Sequence, residues 1–130
     1  MIKAGSRRLV LRAAAVIAIV FGLLTVISGG TALFGGPEAR AAVGDAVPFV
    51  LWFNFFAGFA YIVAGGGLLA HLRWAVWLSV AILLSTAAVF AAFGFHVLQG
   101  GAYEMRTVGA MTLRTVAWLA ITAVAVRGMR

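Results

Sequence analysis

The sequence predicts an all-α, integral membrane four-helix bundle, and three observations carry that prediction. Of 130 residues, 65% are hydrophobic and only 10% are charged, whereas a soluble domain carries about 25% charge. The stretches 13–37, 46–72 and 74–103 contain no charged residue. The basic residues gather at the ends of these apolar runs and mostly on one side of the implied layout.

Composition also excludes several classes. A chain this apolar has too little polar surface to cover a water-facing exterior, so lipid is its solvent. The net charge of +7 does not indicate nucleic acid. Nucleic-acid binders cluster Lys and Arg on one face or groove, and here they flank hydrophobic segments. The absence of cysteine removes disulfides, thiol redox chemistry and thiolate metal sites.

Each charge-free run exceeds the roughly 20 residues needed to cross a hydrocarbon core about 30 Å thick. The first span is placed at 10–34, the second at 47–70 and the third at 74–98. Gly35-Gly36-Pro37 and Gly44 make residues 35–47 an outer loop. His71-Leu72-Arg73 is the whole inner turn, which makes spans two and three antiparallel neighbours. Gln99-Gly100-Gly101 breaks the chain before the last span.

The fourth span is the informative one. Between Arg114 and Arg127 lie twelve uncharged residues, which reach only about 18 Å as a helix and cannot cross. Starting after Arg106 gives twenty residues to Val126, long enough to cross. The span is therefore placed at 104–127, with Arg114 inside the membrane. The whole of 1–130 reads as one transmembrane domain, without repeats.

Charge placement predicts orientation. Lys3, Arg7, Arg8, Arg12, Arg73, Arg127 and Arg130 fall on one side; Arg40, Arg106 and Arg114 lie on or toward the other, with Glu38, Asp45 and Glu104. The positive-inside rule then puts both termini in the cytoplasm of a bacterial inner membrane, with four spans crossing alternately. Trp74 and Trp77 mark the inner boundary, Trp52 and Tyr103 the outer one. Ser6-Arg7-Arg8-Leu9-Val10-Leu11 resembles a twin-arginine export signal. The apolar stretch behind it is longer than a signal core of about 7–15 residues, so the first span is read as retained.

Polar side chains in lipid are costly and hence informative. Helical spacing puts Glu104, Thr107, Met111, Arg114, Trp118 and Ile121 on one stripe of the last span. Leu51, Asn54, Gly58, Tyr61 and Gly65 share a stripe of the second, Ser28, Thr25, Phe21, Ala18 and Ala14 one of the first, and His96 to Ser85 one of the third. Stripes of polar and small residues should face one another away from lipid. Arg114, Asn54, His96, Glu104, Met111 and Ser28 are thus candidates for lining one outward-opening polar pocket. Arginine keeps its charge and offers five donors in a planar fork. Three roles stay open for Arg114: pairing with Glu38 or Asp45 folded inward, snorkelling to the headgroups, or binding an anionic ligand.

Other chemistry finds less support. His96, Glu104, Met105 and Met111 would suit copper by ligand type, but their spacing matches no metal motif and Met at helical spacing is usually packing. Haem held between two histidines is disfavoured, because His71 and His96 lie about a bilayer apart. No cofactor is identified. Phe49, Trp52, Phe53, Phe55, Phe56, Phe59, Phe90, Phe93 and Phe95 crowd the outer half and would suit a flat amphiphile such as a quinone or isoprenoid lipid. Packing and lipid contact are the favoured explanation, since those on the second span point all round the helix. No nucleophile with a base is suggested, and no membrane-embedded acid is present to carry a proton.

Arg12 opening the first span, Gly22 to Gly29-Gly30 along it, the glycine-rich stretch from Gly58 to Leu69 and the tight basic turn after it resemble the DoxX-like group of small bacterial four-helix membrane proteins. The likeness covers roughly residues 10–95 and departs after His96. It implies an accessory role beside membrane redox or sulfur-linked enzymes and supplies no catalytic residue. The leading expectation is a non-enzymatic accessory or assembly subunit. Its partners would be the bilayer, other membrane subunits or copies of itself, met through small faces such as Ala14/Ala18/Gly22 and Ala60/Ala64/Gly67. The alternative is an outward-facing binding protein or channel for a small anion or an amphiphile.

Overall fold

The computed structural model describes residues 4–128 and is all-helical. In chain order it contains α1 (Ala4–Phe34), α2 (Pro37–Val43), α3 (Pro48–Leu69), α4 (Trp74–Leu98) and α5 (Met105–Gly128). The four long helices are each long and apolar enough to cross a membrane. Lys3 and Arg130, counted above among the orienting charges, lie outside the described residues, as does the side chain of Arg7.

The long helices fall where hydrophobic runs place them, except that α1 begins at Ala4 rather than near residue 10. The outer loop needs a larger correction, because residues 37–43 form the short helix α2. Proline is a breaker inside a helix but favourable in its first turn, where its N–H would be unpaired anyway. Pro37 takes that place, Glu38 follows in the positive first turn, and Gly44 at φ 64° ends the segment.

Two helix ends share one stop device. After α3, the Leu72 N–H donates to the Gly67 carbonyl and the His71 N–H to that of Leu68. After α4, Gly101 and Gly100 donate to His96 and Val97 in the same pattern. This motif needs a left-handed residue at the first position past the cap. Gly100 supplies it at φ 82°, and His71 supplies it at φ 58° against the preference of its side chain.

Packing begins with α1 on α3. A Cβ built on Gly22 would lie 2.7 Å from the Gly58 carbonyl oxygen and 2.7 Å from Ile62, and one on Gly65 would lie 2.8 Å from the Ala15 carbonyl oxygen. The backbones therefore approach to a distance that only glycine permits. Most of the small faces expected to meet partners pack inside the chain, with Ala60 half-buried. Ala14, Ala18, Gly22, Ala64 and Gly67 are all buried within the chain, and Gly67 packs against Trp74 and Ala75 of α4.

The bundle is apolar outside and partly polar within. Leu24, Phe56, Trp77 and Leu113 are exposed, whereas Thr25, Ser79, Thr86 and Thr122 are buried. Lipid rewards that arrangement, because it charges nothing for exposed hydrocarbon and penalises exposed hydroxyls. Two substitutions test these devices. Gly22→Val should cost about 1–3 kcal/mol through overpacking, seen as a lower Tm in detergent. His71→Gly should raise Tm, by about 1 kcal/mol of relieved left-handed strain.

Candidate functional site

A cavity of about 350 Å³ opens at the end of the bundle that carries α2. Its walls come from α1, α3 and α5, with α2 above it, and α4 contributes nothing. The rise of a helix orders its depth. Ser28 and Asn54 lie about 9 Å in from the α2-side ends of their helices, and Thr25 and Arg114 about 14 Å in.

Arg114 forms the deepest polar feature. One guanidinium nitrogen, Nη1, donates to Thr25 Oγ1 at 3.0 Å and to the Tyr61 hydroxyl at 3.4 Å. The guanidinium carbon sits 5.0 Å from the centroid of the Phe21 ring and 5.9 Å from that of Tyr61, within cation–π range. Its hydrogen bonds thus go to neutral hydroxyls and not to a carboxylate. Glu38 and Asp45, the partners expected from sequence, are both exposed. The guanidinium does not reach back toward the headgroups either, since its partner Tyr61 lies about 20 Å down α3. Arg114 Nε and Asn54 Oδ1 are buried with no hydrogen-bond partner.

Below Arg114 the bundle is closed. Tyr61 packs on Phe21 and Trp118, with ring centroids 5.3 and 4.9 Å apart. Leu11, Ala15, Ala64, Leu68 and Ala125 continue this plug toward the opposite end, each nearly or wholly inaccessible. A second buried cluster of Val47, Val50, Phe93 and Met111 seals the flank toward α4.

Above the cavity, two polar ties hold the α2 segment to α5. Arg106 Nη2 donates to the Ala42 carbonyl at 2.9 Å, and the Asp45 N–H donates to Glu104 Oε1 at 3.0 Å. Gly44 is favoured by its positive φ, and a Cβ there would displace the Glu104 carboxylate from the Asp45 N–H.

Four of the six candidate residues meet, since Arg114, Asn54, Glu104 and Ser28 all line the cavity. The other two do not. His96 turns its Nε2 to the Ala102 carbonyl at 2.9 Å, closing the α4–α5 turn, and stands edge-on to Phe49. Met111 is wholly buried in the apolar cluster with Phe93, because positions three apart still differ by about 60° round a helix of about 3.6 residues per turn. The weak metal set also disperses: Met105 is 68% exposed, and Glu104 serves the Asp45 N–H. Thr25 and Tyr61 were legible as stripe members but not as site residues. The signal was their depth, equal to or just below that of Arg114 on facing helices.

Unequal hydrogen bonds make the site testable. Thr25→Val removes the shorter bond to a buried charge and should cost about 0.6–1 kcal/mol in detergent unfolding, at or somewhat above the average for membrane hydrogen bonds. Tyr61→Phe removes the longer one, keeps the ring under the cation, and should cost less than half as much. No family model, curated protein or solved structure matches this chain.

Proposed function

We propose that this chain is a multi-pass protein of a bacterial inner membrane, with both termini cytoplasmic, that binds an anionic group in the cavity between α1, α3 and α5. The observation that carries the reading is the state of Arg114: a permanent cation at the foot of a polar cavity, held by two neutral hydroxyls. Dipoles offset part of the cost of taking a guanidinium out of water, but they leave its charge in place. An anion entering the cavity finds that charge in a low-dielectric surrounding, where attraction is stronger than in water.

Two further features support binding. Arg114 Nε is a donor without an acceptor and Asn54 Oδ1 an acceptor without a donor, so the walls present complementary needs to an occupant. The aromatic plug under Arg114 makes the cavity blind, which favours a receptor or carrier over an open channel. The orientation rests on the excess of Arg8, Arg12, Arg73 and Arg127 at the end away from α2; the cavity then faces outward. The accessory-subunit reading draws on the DoxX-like resemblance, while the small faces assigned to partners are taken up inside the bundle.

The binding reading is tested with purified protein and anions of graded shape. Phosphate- and carboxylate-bearing ligands should raise Tm for the wild type, and Arg114→Gln should abolish the increase. Asn54→Leu, which keeps the arginine, should weaken it by about tenfold, the worth of one hydrogen bond to a buried group. Stabilisation that survives in Arg114→Gln would remove the basis of the proposal. Cysteine labelling at introduced sites in the Gly36 and Arg73 turns, from outside intact cells, checks orientation: the first should react and the second should not.

A further inference from the structure

The cavity has walls of very different quality, and the weak one faces lipid. On the α1–α3 side, Gly22, Gly29, Gly58 and Gly65 bring the backbones into contact, leaving no passage. On the α4 side the buried cluster of Val47, Val50, Phe93 and Met111 closes the wall. Above, α2 is tied down through Ala42 and Asp45. The remaining flank lies between α1 and α5. There Arg114 meets Thr25 and Phe21, and Gly128 lies against Leu11, all at or below the cavity floor. Higher up, Ser28 and Thr31 on α1 and Arg106 on α5 are exposed although they line the cavity. The neighbouring side chains are small, namely Ala32, Thr107 and Ala110. One turn deeper on the same faces stand Leu24 and Leu113, 61% and 62% exposed. Hydroxyls and small residues thus open a gap above an apolar sill.

We infer that the ligand is a membrane lipid with a hydroxylated, singly charged phosphodiester head group, of the phosphatidylglycerol type, which enters sideways between α1 and α5. This rests on the anion-binding reading above and specifies its ligand. Three features select the class. First, the volume of about 350 Å³ is at the low end for enclosing a drug-sized molecule; it holds a head group but not the chains. Those chains must then lie outside, along Leu24 and Leu113. Second, Arg114 stands at the floor and Arg106 and Glu104 at the rim, so the lining carries one net positive charge and suits a singly charged head group. Third, Asn54 Oδ1 and the hydroxyls of Ser28, Thr31 and Thr107 match a head group that carries its own hydroxyls.

The test compares sources of the same chemistry. Wild-type protein in a neutral detergent is titrated with phosphatidylglycerol, with phosphatidylcholine, and with free glycerol phosphate, and bound lipid is counted by native mass spectrometry. One phosphatidylglycerol per chain is expected to be retained, with phosphatidylcholine at least about tenfold weaker. Ser28→Leu narrows the gap and removes one hydroxyl from an exposed position, and should cut lipid retention by about tenfold, whereas Ser28→Ala, which removes the hydroxyl alone, should cut it less. If free glycerol phosphate binds as well as the lipid and Ser28→Leu is without effect, sideways entry is overturned and the anion site stands. Equal retention of the two phospholipids overturns the head-group assignment. If no phosphate species binds, this inference fails; the broader anion site fails as well only if carboxylates also leave Tm unmoved.

Discussion

Placing one guanidinium in the middle of an apolar bundle constrains nearly everything around it. Arginine at the centre of a membrane helix costs about 2.5–3.5 kcal/mol on insertion scales. Two hydroxyl bonds recover about 0.6 kcal/mol each in membrane proteins, and two aromatic faces add about 0.5–1 kcal/mol each. The sum comes close to the cost without any carboxylate. Arg114 is therefore tolerated where it is, yet its charge is not cancelled. Thr25, Tyr61 and Phe21 must all converge on it, and they come from two different helices.

That convergence explains the glycines. Thr25 on α1 and Tyr61 on α3 can share one nitrogen of Arg114 only if α1 and α3 lie very close together. Gly22, Gly58 and Gly65 remove the side chains that would separate them. With α1 committed to α3, its contact with α5 is concentrated at and below the arginine, and the space above becomes the cavity. The polar chamber and the tight glycine seam are two outcomes of one packing decision. The same decision consumes the small-residue faces that would otherwise be available to a partner helix.

The long helices were legible because hydrophobic runs longer than a bilayer is thick leave little alternative. The arginine's depth was legible for the same reason: a segment of twelve residues cannot cross. What the sequence concealed was local. Gly35-Gly36-Pro37 reads as a loop, since proline usually breaks helices, but here it begins one. His96 and Met111 share helical stripes with site residues, and a stripe is wider than a cavity wall. Met111, three residues and so about 60° round the helix from Arg114, falls in the Phe93 cluster, and a backbone carbonyl at Ala102 claims His96. Which edge of a stripe meets the cavity is not written in residue type. The identity of Arg114's partners was equally hidden, because hydroxyls at matching depth are common and carboxylates looked like the stronger candidates.

Those partners decide what the cavity can do. Had Glu38 or Asp45 folded inward, the charge would have been neutralised and the chamber would attract nothing. Hydroxyls solvate the cation and hold its plane, while Nε remains without an acceptor. An occupant that supplies one oxyanion completes the set; a cation is repelled at the floor even though Glu104 stands at the rim. The blind end matters for the same reason. With Tyr61 and Trp118 packed beneath the arginine, an anion that reaches the floor must leave by the way it came. A blind chamber with an uncancelled charge at its floor and a gap between α1 and α5 is the geometry on which the anion-binding proposal rests.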